Sequence, residues 1–196
     1  MNTIMKYANL DLGTIEATFN ILGGIEGAAR LRRGELILVE APPKSEFPLD
    51  FVIHVDRKVK PTYPDWAKKL KHPEWECSGP IEYNLKNEVE QWFFEMQKYQ
   101  SVHGSRIYTH LKDSSTLVWC LNLQDGLAIQ KKGLAMFRKL FEWKELFLWG
   151  SIVENHDGKL LVPYLYDFHE EVTMDWHCLD GYWDFRRPAL RFKFKK

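Results

Sequence analysis

Val172-Thr173-Met174-Asp175-Trp176-His177-Cys178-Leu179-Asp180-Gly181-Tyr182-Trp183 is the stretch from which the fold can be read. Polar and large apolar residues alternate along it, and an Asp-Gly pair interrupts them. Side chains of a strand point alternately to its two faces. Met174, Trp176 and Cys178 therefore share one face, and Thr173, Asp175 and His177 share the other. Burying the tryptophan turns the polar trio outward. A sheet follows, with one face in a core and one face free.

The same period holds on either side. Leu146 to Glu154 and Lys159 to Phe168 flank Asn155-His156-Asp157-Gly158, a hairpin signal. His169-Glu170-Glu171 reads as a polar turn before Val172 to Leu179. Leu190, Phe192 and Phe194 alternate with Arg191, Lys193 and Lys195 in a final strand. Upstream the spacing becomes helical. Leu85, Val89, Trp92, Met96 and Tyr99 fall on one face of a helix over 84–99, with Asn84 as its N-cap. Further short helices are expected over 105–112, 115–121 and 123–132, the last stopped by Gly133. Met136, Phe137, Leu140 and Phe141 continue the helical spacing. Near the start, Thr14 caps a short helix over 15–22, and a second over 25–33 ends at Gly34. Leu36 to Val39 and Phe51 to Val55 read as strands, and 65–71 as one or two helical turns before Pro73. The expectation is an α+β protein. Residues 1–80 make a small α/β region, and 81–196 carry helices and a C-terminal antiparallel sheet.

Composition bounds the function. Lys plus Arg equals Asp plus Glu at 27 each, so no global field draws nucleic acid or a membrane surface. The 3 cysteines, Cys77, Cys120 and Cys178, form no CxxC pair, which suits a reduced, cytoplasmic setting. No apolar run reaches membrane-spanning length, and the first residues lack a signal-peptide layout. Aromatic residues at 14%, with 8 Trp, fit a rigid core or a binding surface.

Several constellations carry chemistry. Asp175 and His177 share a strand face and suit acid–base work, yet no spacing supplies a third metal ligand. His103 and His110 fall on one side of a helix only if Gly104 does not break it, and would otherwise be surface histidines. Arg30, Arg32 and Arg33 lie on the second of two glycine-joined helices, the outline of a helix-turn-helix. The basic terminal strand fits a phosphate backbone, but lysines on an edge strand also block aggregation. There is no Gly-rich phosphate loop, GxSxG or HExxH motif. The richest constellation is the polar face of 173–177 with the turn beyond it. Thr173, Asp175, His177, Gly181, Tyr182, Asp184, Phe185, Arg186 and Arg187 combine aromatic anchors with charged and polar contacts, as a paratope does. Met174, Trp176 and Trp183 would be the scaffold beneath. An ordinary solvated sheet face is the competing reading.

Pro163-Tyr164-Leu165-Tyr166, the run from Trp176 to Trp183, and Pro188-Ala189-Leu190-Arg191-Phe192 resemble the C-terminal region of variable proteins of diversity-generating retroelements. Upstream, His72-Pro73-Glu74, Gly79-Pro80-Ile81-Glu82-Tyr83 and Ile107-Tyr108-Thr109-His110-Leu111 resemble uncharacterised bacterial proteins. The resemblance implies a C-type-lectin-like domain and non-catalytic binding of a protein or other macromolecule, with a variable stretch over about 172–190. It implies no cofactor and no metal. Adenine mutation of an Asn codon never yields Lys, Gln, Glu, Met or Trp. From Thr173 to Arg187 the unreachable types are Met174, Trp176 and Trp183, which strand geometry assigns to the scaffold. Two rivals stand beside this reading: nucleic-acid binding through the Arg30–Arg33 helix or basic strand, and a hydrolase or nuclease using His103/His110 or Asp175/His177.

Overall fold

The computed structural model describes residues 13, 16, 18, 20, 23–35 and 49–194. The chain separates into two compact units, Met1–Phe47 and Pro48–Lys196. In the first unit, α1 spans Gly24–Arg32. Gly34 follows in the left-handed region at φ 75°, where glycine meets no Cβ clash. The Gly34 N–H donates to Leu31 O and the Glu35 N–H to Arg30 O, a Schellman closure of the helix. The expected cap at Thr14 and strand over 36–39 lie outside the described residues.

The second unit holds β1 (Val52–His54), β2 (Ala67–Leu70), β3 (Glu82–Asn84), α2 (Leu85–Glu88), β4 (Val89–Trp92), β5 (Val102–His103), α3 (Gly104–Asp113), α4 (Leu123–Lys131), α5 (Leu134–Phe141), β6 (Leu146–Phe147), β7 (Val153–Asn155), β8 (Leu160–Phe168), β9 (Glu171–Cys178), β10 (Tyr182–Trp183) and β11 (Ala189–Phe192). The main sheet has seven strands in the order β2-β7-β8-β6-β11-β4, with β9 also on β8. Two smaller pairs, β1 with β3 and β5 with β10, are antiparallel. The α+β class expected from the sequence is the class observed.

Four local expectations are corrected. The helix over 84–99 is a single turn. Asn84 does cap it, accepting from the Lys86 and Asn87 N–H groups, but the chain then enters β4 and pairs antiparallel with β11. Val89, Trp92, Phe93 and Phe94 are β-branched or aromatic and suit a pleated surface. The Glu90–Arg191 ion pair at 2.6 Å fastens the two strands. The helical turns expected over 65–71 are strand β2, paired with β7. The single strand over 146–154 is split. β6 and β7 both pair with β8, and between them Gly150 donates its N–H to Leu121 O while Leu148 donates to Pro163 O. The helix over 115–121 is a 3-10 turn over Leu117–Trp119.

Apolar residues of the sheet sort into two clusters by strand parity. Leu146, Leu148, Leu165, Val172 and Leu190 pack with Ile129 of α4 and Met136, Phe137 and Phe141 of α5. Phe147, Val162 and Ala189 pack with Ile107 and Leu111 of α3 and with Trp149 and Trp183. Helices thus cover both sheet faces, which is how each face is withdrawn from water. No helix among the described residues is long and apolar enough to cross a membrane.

Buried polar groups tie the edges to this core. Arg57 and Asp125 pair at 2.6 Å, both almost fully buried. Tyr83 donates to the same Asp125 carboxylate at 3.1 Å, and Asn122 forms a capping box with it at the start of α4. Nearby, the Ser151 hydroxyl donates to Glu76 Oε1 at 3.1 Å. Glu76 is only 4% exposed, and among the described residues no cation pairs with it. Burial pushes its carboxyl upward, and the hydroxyls of Tyr63 and Ser151 offset this in part. A carboxyl whose folded pKa is raised costs stability as pH rises through that value. The chain should therefore lose stability, relative to Glu76→Gln, as pH climbs from the ordinary Glu value of 4.5 toward neutrality. Denaturant midpoints measured across that range test this, and a difference between the two proteins that does not vary with pH would refute it.

Candidate functional site

β8 and β9 build the candidate site. The pair is joined by His169 and Glu170, both left-handed at φ 46° and 64°. Two left-handed residues match the twist of a tight hairpin. The register that results sets Phe168 opposite Glu171, Tyr166 opposite Thr173, Tyr164 opposite Asp175 and Val162 opposite His177. One face therefore carries Tyr164, Tyr166 and Phe168 beside Thr173, Asp175 and His177.

The aromatic residues of that face form a ladder. Phe147 stacks on Tyr164 at 5.0 Å, Tyr164 on Tyr166 at 5.2 Å, and Tyr166 meets Phe168 at 5.7 Å. Its inner end is buried against Trp183 and Trp149, and its outer end reaches solvent at Phe168. Trp183 is fully buried and lies on the start of α3, where a Cβ on Gly104 would meet its ring only 2.2 Å away. The neighbours of Trp183 in β10 and the following turn point the other way. Tyr182 and Phe185 are 57% and 58% exposed, and Arg186 is also exposed.

The polar groups are held in place. Arg187 donates from Nε to Glu145 at 2.7 Å, and from Nη1 to Tyr182 O at 2.6 Å and to His177 Nε2 at 3.2 Å. Burial, and then the Arg187 charge, lower the His177 pKa, so the imidazole is the neutral acceptor of that hydrogen bond. Burial alone would raise the Asp184 carboxyl, but hydrogen bonds from the Arg186 side chain and N–H outweigh it and hold the group low. The Tyr164 hydroxyl donates to Asp175 at 3.4 Å, and burial, with the Asp175 charge, pushes its pKa up to about 12. Lys144 lies over the Phe185 ring at 5.1 Å and donates to Phe185 O. Beside Tyr166, a cleft of about 610 Å³ is lined by Arg138, Trp143, Glu145 and Asp167. Trp143 is 87% exposed and takes a left-handed backbone at φ 61°.

Of the expected site residues, Arg187 joins His177 to Tyr182, Arg186 pairs with Asp184, and Thr173 and Asp175 lie opposite Tyr166 and Tyr164. His177 is half-buried beneath Trp183 instead of fully turned outward. Gly181 offers backbone only, because a Cβ there would lie 2.5 Å from His177 Nε2. Of the scaffold residues, Met174 packs on the α4–α5 core, while Trp176 is half-buried against Tyr63 and Trp66. Trp183, not Trp176, is the central anchor. Tyr164, Tyr166, Glu145 and Trp143 belong to the same surface and were not among the sequence candidates. The period-two run Val162, Tyr164, Tyr166, Phe168 is the signal that places the two tyrosines, once the hairpin register is counted.

The other constellations separate. Asp175 and His177 share a face but spend their polar atoms on Tyr164 and Arg187. His103 lies on Tyr182 at 4.2 Å, whereas His110 stacks between Trp92 and Phe94. Among the described residues no group of three or more His, Cys, Asp or Glu is placed to hold a metal ion. Arg30 and Arg33 pair with Glu35, and Arg33 also with Glu26. Arg191 pairs with Glu90, and Lys193 donates to Asn87 O.

Two outcomes follow from this geometry. Arg187→Ala removes the charge that helps keep His177 neutral while leaving Glu145, so the His177 pKa should rise, which a histidine NMR titration reads directly. Gly104→Ala would ordinarily favour a helix, but here it should destabilise by about 1–3 kcal/mol through the Trp183 clash, measured by chemical denaturation. No family model, curated protein or solved structure matches the chain.

Proposed function

We propose that this chain is a non-catalytic recognition protein that presents an exchangeable binding surface on β9, β10 and the turn that follows, in the manner of the variable proteins of diversity-generating retroelements. The observation that carries the reading is the sorting of 173–187 by exposure. Tyr182, Phe185 and Arg186 stand in solvent, while Trp183 is fully buried and Met174 packs on the core. Of the side chains that adenine mutation cannot create, Trp183 is buried, and Met174 and Trp176 are half-buried against the core and against Tyr63 and Trp66. Of those that it can create, Asp175, Asp180, Tyr182, Phe185 and Arg186 are exposed, and Leu179 is buried. Tyr and Phe would supply contact area, and Arg and Asp charge-assisted hydrogen bonds. The Arg187 clamp and the aromatic ladder hold the surface in place before a ligand arrives, which lowers the ordering cost of binding. A C-type-lectin-like arrangement belongs to the same proposal. The partner would be a protein or another macromolecule.

The rival readings have less support. Arg30 and Arg33 are partnered by Glu35 and Glu26, which cancels part of the field a phosphate backbone needs. The histidines of a hydrolase reading lie among different neighbours.

The test needs no ligand. A combinatorial library at Thr173, Asp175, Tyr182, Phe185 and Arg186 should leave most members folded, with melting temperatures near the parent. Trp183→Ala should cost about 3–5 kcal/mol. A library that mostly unfolds would sink the proposal. So would a genomic neighbourhood that lacks both a reverse transcriptase and a near-copy of the codons for 172–190 differing at adenines.

A further inference from the structure

A second site lies at the C-terminal end of β11, and it shares no residue with the recognition surface. Trp75, Tyr83, Leu117, Trp119, Phe192 and Phe194 enclose a cavity of about 740 Å³. That volume falls within the range of small-molecule sites. Tyr83 meets Phe192 edge to face at 5.0 Å, and Trp119 meets Phe194 at 5.5 Å, so the aromatic walls brace one another. Cys120, also at the wall, is fully buried, and burial pushes its thiol up to about 12, so it adds an apolar surface and no nucleophile.

The polar atoms at the floor decide what chemistry fits. Asp125 accepts from Arg57 and Tyr83 on one oxygen and from the Asn122 N–H on the other. Asn122 accepts from Arg57 and the Asp125 N–H, and its amide donates to the carbonyls of Trp75, Glu76 and Ser78. Those groups satisfy each other, so they offer an entering molecule no hydrogen bond. Their charges also cancel, Arg57 against Asp125. Of the remaining charged lining residues, Glu88 and Lys193 are opposite in sign. The cavity thus supplies mainly aromatic area and no net charge, with the polar side chains of Asn122 and Asp125 already paired. A charged ligand would lose its hydration there for nothing in return.

We infer that this cavity binds a neutral, flat, largely apolar small molecule, independently of the recognition surface. Prodan, a neutral naphthalene dye, is the probe, added to the full chain. Saturable blue-shifted emission is expected, with one dye per chain and energy transfer from tryptophan. Trp119→Ala removes a wall and Val118→Arg places a charge at the opening. Both positions are nearly half exposed, so the fold should survive, as circular dichroism would confirm. Each should weaken prodan on the order of tenfold or more, the range expected for a hot-spot residue, whereas Tyr182→Ala and Trp143→Ala should not change it. Three results would overturn the inference: no saturable binding, Trp119→Ala and Val118→Arg proteins that bind like the parent, or loss of binding in the Tyr182→Ala or Trp143→Ala protein. Tighter binding of a cationic acridine than of prodan would overturn the neutral class.

Discussion

His169 and Glu170 both adopt left-handed backbone conformations, and the turn they make fixes the register of β9 on β8. A slip of one residue would exchange the two faces of β9. Met174 would leave the α4–α5 core, and Asp175 would enter it without a partner. The cost of burying an unpaired carboxylate makes that alternative inaccessible. The same register sets Tyr164 and Tyr166 beside Asp175 and Thr173, so one tight turn decides which side chains that face presents.

Trp183 gives that surface its rigidity. Its indole has no hydrogen-bond partner among the described residues and is held by packing alone, among Phe147, Trp149, His177 and the bare backbone of Gly104. Tyr182 and Asp184, on either side, are therefore displayed from a fixed point. Arg187 adds a polar fastening by joining Glu145, His177 and the Tyr182 carbonyl. Neither fastening uses the side chains of Tyr182, Phe185 or Arg186, so those positions can vary without disturbing either.

Much of this architecture is legible in the sequence, and the failures have a common cause. The alternation in 159–168 and 172–179, the Asp-Gly turns, the Gly34 closure and the short helices all depend on neighbours close in the chain. The segment 85–99 does not. Its apolar spacing fits a helix, and Asn84 does begin one, but pairing with β11 about a hundred residues away converts it to strand. Residues 148–152 are buried throughout, so no alternation marks where β6 stops and β7 starts. At the site, the face of β9 could be read from parity. Tyr164 and Tyr166 needed the hairpin register as well, and Trp143 and Glu145 come from a loop whose approach is set by tertiary packing. The Arg57–Asp125 pair spans residues too distant in sequence for any local pattern to join.

The position of β11 has a further consequence. It lies between β6 and β4, so an interior strand of the sheet is synthesised only after residues 173–187. The Glu90 and Trp92 side chains of β4 wait for Arg191 until the whole of 173–187 has been translated. Translation that stops or shifts frame inside residues 173–187 yields a chain with an open sheet and exposed apolar edges, the kind of species that cellular proteases clear. Vectorial synthesis thus acts as a proofreader, because only chains read through residues 173–187 can complete their core.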